Sequence, residues 1–160
     1  MLPCAALPAG ALRALLARFG LSLHELARDD AIPGSFWGEP EAGVIGTAVY
    51  VRPDTPVHSA LHEACHVICM DGARRAALHT DAGGGYDEED AVCYLQILLA
   101  DQLSGFGRAR ALRDMDAWGY SFRLGSAAAW FAEDADDART WLQQHGLIDE
   151  GARPCWRLRA

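Results

Sequence analysis

The chain has 160 residues, of which 51% are hydrophobic and 22% charged, and its net charge at pH 7 is −8. This length fits one domain spanning residues 1–160, and the composition excludes a wholly disordered chain. The acidic balance argues against a nucleic-acid partner, and no apolar run is long enough to cross a membrane. The five cysteines include no CxxC pair, which predicts free thiols in a cytoplasmic protein.

The N-terminal third of the chain carries signals for two short helices and one strand. Apolar residues recur at helical spacing over 12–19 and predict a first helix. Ser22 and Glu25 have the spacing of a capping box, which predicts a second helix over 23–28. The β-branched and aromatic residues of 43–51 predict a strand.

The rest of the chain is predicted to be helical, apart from a connection over 72–86 that ends in a run of glycines. Helical periodicity and helix boundary signals predict five helices, over residues 56–71, 87–103, 108–118, 127–133 and 135–145. These elements together predict an α+β domain that is mostly helical and has a short sheet.

The helix predicted over 56–71 contains His62, Glu63 and His66 in the spacing HExxH. Residues four apart lie on the same side of a helix, so both imidazoles can bind one divalent metal ion. Glu63 then lies beside the metal, where its carboxylate can accept a proton from a water molecule. The motif therefore predicts metal ligands at His62 and His66 and a general base at Glu63.

The alternative is that these three residues are merely solvated on a surface helix, because a five-residue pattern also arises by chance. The rest of the helix argues against this interpretation. Its opposite face is apolar and is predicted to pack into a core: Ala60, Leu61, Ala64, Val67 and Ile68. The histidines are therefore expected to face a site.

A third ligand is expected from the helix over 87–103. Glu88 is the one charge on an apolar stripe formed by Ala91, Val92, Leu95 and Leu99. A carboxylate in such a place is unfavourable unless it meets a cation, which predicts Glu88 as the third metal ligand. Glu89, at the flank of the stripe, is the alternative.

A phenol is a further group that can stabilise an oxyanion at a metal centre. Tyr86, Tyr94 and Tyr120 are the candidates, and Tyr86 is preferred because it lies beside the start of the second helix. Core packing is the alternative role for each of them.

His62, Glu63 and His66, with an acid on a following helix, resemble the active-site residues of gluzincin metallopeptidases. Glu88-Glu89-Asp90-Ala91 is similar to the ExxA start of the second active-site helix in the HtpX-like and ImmA/IrrE-like families. The resemblance implies a zincin-like domain with peptidase activity. It also implies that two helices hold Zn²⁺ through His62, His66 and Glu88.

A second, local resemblance is to the elongation factor P hydroxylase family. It rests on Ser59-Ala60-Leu61-His62-Glu63 with His66, followed by Gly72 and Arg74-Arg75. This resemblance implies Fe²⁺ and oxidative chemistry. Two histidines and one carboxylate also describe the ligand triad of non-haem iron enzymes.

Metal-assisted hydrolysis is the chemistry that the HExxH motif favours. The sequence therefore predicts a zinc-dependent hydrolase, namely a small cytoplasmic metallopeptidase acting on a peptide or protein substrate. The strand over 43–51 is expected to align that substrate by backbone pairing. The alternatives are the iron hydroxylase and a non-catalytic binding or regulatory module that keeps a structural metal.

Overall fold

A small sheet and seven α-helices make up the computed structural model, which describes all residues 1–160. The strands are β1 (Ser22–Glu25), β2 (Gly43–Ile45) and β3 (Ala48–Val51). The helices are α1 (Ala11–Ala17), α2 (Val57–Cys69), α3 (Gly72–Ala77), α4 (Tyr86–Ala100), α5 (Arg108–Trp118), α6 (Ala127–Glu133) and α7 (Asp136–Gln144). The predicted fold class, α+β and mostly helical with a short sheet, is confirmed.

The sheet has the strand order β1-β3-β2, with β1 parallel and β2 antiparallel to the central strand β3. The segment 43–51, predicted as one strand, is a hairpin whose two strands are joined at Gly46 and Thr47. Gly46 has φ of 58°, a conformation that glycine adopts without the steric penalty of a side chain. This turn reverses the chain before β3 leads towards α2.

The predicted helix over 23–28 was wrong, because Ser22–Glu25 form strand β1. Leu23 lies opposite Val49 of β3, and both side chains are buried. The capping-box spacing is a local signal, whereas pairing with β3 satisfies the backbone of the whole segment and buries Leu23. Tertiary pairing therefore outweighs the local preference for a helix.

The outer edge of β2 is covered by the chain itself. The Val44 N–H donates to the Gly34 carbonyl at 3.2 Å, and the Thr80 N–H donates to the Val44 carbonyl at 3.0 Å. Glycine at position 43 permits this cover, since a Cβ there would lie 1.9 Å from the Pro33 carbonyl oxygen. The expectation that this strand aligns a substrate by backbone pairing is therefore wrong for β2.

Helices α2 and α4 pack against each other at the centre of the molecule, with the sheet, α5 and α7 around them. Nearly every residue of α2 is buried. Its last carbonyls accept hydrogen bonds from the buried guanidinium of Arg75, which donates to Val67 at 2.8 Å and to Met70 at 2.5 Å. Arg75 belongs to α3, a short helix that was not predicted and that begins at the N-cap Asp71. The position of α2 is thus fixed along its length and at its C-terminal end.

None of the helices combines the length and the apolar character needed to cross a membrane. The five cysteines form no disulfide, which confirms the prediction of free thiols.

Candidate metal centre

The two histidines of α2 point their Nε2 atoms at each other, with 3.1 Å between them. Their spacing of four residues puts both rings on the side of α2 that faces α4. Both side chains are largely buried, at 15% exposed for His62 and 10% for His66. Two ligand nitrogens are therefore held close together by one helix.

Glu89 of α4 provides the carboxylate at this histidine pair. Its Oε1 lies 3.3 Å from His62 Nε2, and its Oε2 lies 3.3 Å from His66 Nε2. Bond lengths of about 2.0 Å and tetrahedral angles place two ligand atoms about 3.3 Å apart. One ligand atom from each of the three residues lies within 4.8 Å of the other two, so His62, His66 and Glu89 could hold a metal ion.

Glu88, which the sequence predicted as the third ligand, lies elsewhere. Its carboxylate accepts two hydrogen bonds from Arg74, at 2.7 and 2.9 Å, and one from Arg159 at 3.4 Å. The argument that a carboxylate on this apolar stripe must meet a cation holds, but the cations are guanidinium groups. The structure therefore brings the alternative residue, Glu89, to His62 and His66.

Gln96 is a residue of the centre that the sequence analysis missed. Its Oε1 accepts a hydrogen bond from His62 Nδ1 at 2.6 Å, while its Nε2 donates to the His58 carbonyl at 3.4 Å. With its Nδ1 proton held by this hydrogen bond, a neutral His62 would offer the Nε2 lone pair to a metal. Gln96 lies seven residues after Glu89, which is two helical turns on the same face. Gln96 is an isolated amide in the apolar second half of α4, and this contrast could have pointed to it in the sequence.

A cavity of about 470 Å³ opens beside the three ligand atoms. Glu63 lines this cavity together with the histidines, and its side chain is only 8% exposed. The carboxylate receives no hydrogen bond from any protein group. The structure therefore brings the predicted base to the same cavity as the predicted histidines.

Charge interactions outweigh burial at two ligands: the pKa of His62 is raised well above its usual value, and the pKa of Glu89 is lowered. Burial dominates at Glu63 and His66. It raises the pKa of Glu63 to about 7, and the nearby carboxylates of Glu41 and Glu89 act in the same direction, while His62 opposes them. Burial also lowers the pKa of His66 to about 4, with a further contribution from His62. His66 is thus neutral in this environment, the form in which an imidazole binds a metal.

Tyr86, the preferred phenol, does not line this cavity. It is the first residue of α4, is 92% exposed, and lies beside Trp141 and Arg159. Gly83 and Gly84 border the cavity, but Tyr86, two residues after Gly84, does not. The phenol that the structure brings to the centre is that of Tyr120, a residue in the connection after α5.

Tyr120 stands edge-on to His62, with 5.4 Å between ring centroids. Its hydroxyl lies 3.4 Å from Nδ1 of His58, a buried histidine one turn before His62. Burial raises the pKa of Tyr120 above its ordinary value. The phenol is therefore neutral and can donate a hydrogen bond.

The site thus has three neighbouring ligand atoms, a buried carboxylate and a phenol around one cavity, with an amide hydrogen-bonded to one of the ligands. No family model, curated protein or solved structure matches the chain significantly. Its function therefore has to be inferred from these residues.

Proposed function

We propose that the protein is a zinc-dependent hydrolase of the metallopeptidase class. In this proposal His62, His66 and Glu89 bind Zn²⁺, and Glu63 is the general base. The observation that carries it is the placement of Glu63: a buried carboxylate without a hydrogen-bond donor lines the same cavity as three converging ligand atoms. Burial of an unpaired carboxylate is unfavourable for folding, and a functional role would explain why Glu63 occupies this position.

The donor set supports zinc as the metal. Two imidazole nitrogens and one carboxylate oxygen form a ligand set that catalytic zinc sites use, with a fourth position for water. A zinc ion bound there supplies Lewis acidity, which lowers the pKa of a water molecule towards neutrality. The hydrogen bond from His62 to Gln96 fixes the imidazole tautomer that such binding requires.

Glu63 performs the proton transfers in this mechanism. Its carboxylate accepts a proton from the attacking water in the cavity and then delivers it to the amine that leaves. Because no protein group donates a hydrogen bond to Glu63, its oxygens are available for both steps. Tyr120 is positioned to donate a hydrogen bond in the same cavity.

The resemblance to gluzincins supports the roles proposed for the two histidines and Glu63. It gives weaker support to the role of the second helix. With Glu89 as the ligand, the residue three positions later is Val92 instead of the alanine of an ExxA pattern. The HExxH helix followed by an acid on a later helix remains as the shared arrangement.

The test compares the wild-type protein with Glu63→Gln after both have been loaded with zinc. Fluorescent casein and a mixture of internally quenched peptides serve as substrates. Replacing the carboxylate removes the base but none of the ligands, so Glu63→Gln should retain about one zinc ion per chain and lose hydrolysis at least ~100-fold. Glu133→Gln, at an exposed position of α6, is the matched control. Equal hydrolysis by Glu63→Gln and wild type, or none by zinc-loaded wild type, would overturn the proposal.

The iron hydroxylase is the second candidate, and the observation that favours it is the volume and polar lining of the cavity. Ferrous enzymes of the two-histidine, one-carboxylate type keep open coordination positions and therefore need room at the metal. A cavity of about 470 Å³, in which ten of the fifteen lining residues are not hydrophobic, offers such room. The non-catalytic module differs from both candidates, because its partner binding would survive the replacement of Glu63.

A further inference from the structure

The cavity at the metal centre is strongly acidic. Four carboxylates line it, those of Glu41, Glu63, Asp81 and Glu89, and no arginine or lysine is among the lining residues. The pKa of Glu63 is raised to about 7, but even with Glu63 protonated the other three carboxylates exceed the charge of one divalent ion, so the cavity stays negative. Arg74, which lies near the bordering glycines, is paired with Glu88.

Two aromatic side chains stand exposed at the border of this acidic cavity. Trp37 is 79% exposed and Phe36 is 51% exposed, and their rings meet edge to face with 5.0 Å between centroids. Both residues line the cavity. Large apolar rings left in water at a cavity commonly mark a place where a ligand binds.

Glu41 connects the acidic and the aromatic features. Its side chain is only 6% exposed, and its Oε2 accepts a hydrogen bond from the Trp37 N–H at 2.7 Å. Glu41 thus holds the segment that carries Trp37 while its own carboxylate lines the cavity. A buried carboxylate and the backbone of the residue that carries the indole are thereby held together at the cavity.

A cationic group matches this pair of features. Ammonium and guanidinium groups are attracted to the face of an indole ring, and most strongly where water is partly excluded. The negative potential of an acidic cavity also raises the local concentration of cations and repels anions. A neutral substrate would gain from the rings alone, and an anionic one would be repelled.

We propose that this cavity selects substrates with a cationic side chain next to the bond to be cleaved, and that Trp37 and Glu41 form the subsite for it. The inference rests on the proposed function in one respect, since it takes the cavity as the substrate site. It adds a substrate class: peptides with arginine or lysine beside the cleaved bond. Phosphate esters and acidic peptides are excluded.

The test measures binding, so it does not depend on turnover. Three capped peptides, acetyl-Ala-Xaa-Ala-amide with arginine, citrulline or glutamate at Xaa, are titrated at low ionic strength and followed by calorimetry. The protein is the zinc-loaded Glu63→Gln variant, which is expected to keep the metal without cleaving the peptides, and the substitutions below are made in it. Citrulline has nearly the shape of arginine but no charge. We expect the arginine peptide to bind about tenfold more tightly than the citrulline peptide, and the glutamate peptide to bind most weakly.

Two substitutions that change the charge equally show whether the preference for arginine depends on Glu41. Glu41→Gln should reduce the preference for arginine over citrulline to about twofold, whereas Glu133→Gln should leave it unchanged. Trp37→Ala should weaken binding of the arginine peptide about threefold or more. Equal binding of the arginine and citrulline peptides, no measurable binding of the arginine peptide, or equal effects of Glu41→Gln and Glu133→Gln would overturn the inference. If the hydrolysis test overturned the hydrolase proposal, these binding results could still be interpreted by themselves.

Discussion

Glu88 and Glu89 are consecutive residues of α4, yet their carboxylates lie in two different environments. Glu89 meets the Nε2 atoms of His62 and His66 at 3.3 Å. Glu88 is turned about 100° away on the helix and forms a two-fold hydrogen-bonded pair with Arg74. One carboxylate is thus available to a metal, and the other is neutralised within the protein.

This difference predicts opposite effects of two adjacent substitutions on metal binding. Glu89→Gln removes an anionic ligand and should weaken zinc binding at least ~100-fold, because a neutral amide is a poor ligand for this ion. Glu88→Gln should bind zinc within about threefold of wild type, since its carboxylate faces Arg74. Titration against a chromophoric chelator gives both affinities. Equal zinc loss in the two variants, with thermal melts showing both folded, would contradict the assignment of Glu89.

The Glu88–Arg74 pair is predicted to contribute to stability instead. Arg74→Ala leaves a buried carboxylate without its main partner and should lower the free energy of unfolding by about 2–3 kcal/mol. The expected loss is below that for a fully buried pair, because Arg74 is 32% exposed. Urea denaturation followed by far-ultraviolet circular dichroism gives the value.

The control for this prediction is Arg139→Ala. Arg139 pairs with Asp136 on α7, where the two side chains are 47% and 92% exposed. Water screens such a pair, so its loss should change stability by less than about 0.5 kcal/mol. If Arg74→Ala proves as mild as Arg139→Ala, Glu88 does not depend on Arg74 for its burial.

Most of the helices could be predicted from the sequence because their signals are local. The predicted 108–118 and 127–133 match α5 and α6, and periodicity also located α2 and α4. Strand β1 could not be predicted, because its partner β3 lies more than twenty residues later in the chain. A short segment with one buried side chain carries little information about such distant pairing.

The HExxH motif was sufficient to predict which residues of α2 lie together, because both histidines and Glu63 belong to one helix and line one cavity. The third ligand depends on how α4 is rotated against α2, and the sequence gives that rotation only through the apolar stripe. The stripe identified Glu88 correctly as a carboxylate that needs a cation. It could not reveal that Arg74, from α3, would be that cation, because α3 itself was not predicted.

Gln96 is predicted to tune the affinity of the centre for metal. Gln96→Leu removes the acceptor for His62 Nδ1 and should weaken zinc binding by about 10- to 100-fold. Gln96→Glu keeps an acceptor oxygen at the same place and should recover most of that loss. Competition with the same chelator measures both variants, and unchanged affinity in Gln96→Leu would show that the hydrogen bond does not orient His62 for a metal.

The last prediction separates zinc hydrolysis from iron oxidation, since His62, His66 and Glu89 offer donors that suit either metal. We expect hydrolysis because of Glu63. A base beside the ligands can remove a proton from water, a step that hydrolysis needs and oxygen activation does not require. The protein should be purified without oxygen and divided into portions reconstituted with zinc or with ferrous iron. The zinc form should hydrolyse peptides, and the iron form should consume no oxygen beyond the rate of a His62→Ala control. Oxygen consumption coupled to substrate modification by the iron form alone would favour the hydroxylase. Because the two readouts are independent, the zinc result and the iron result can each be interpreted without the other.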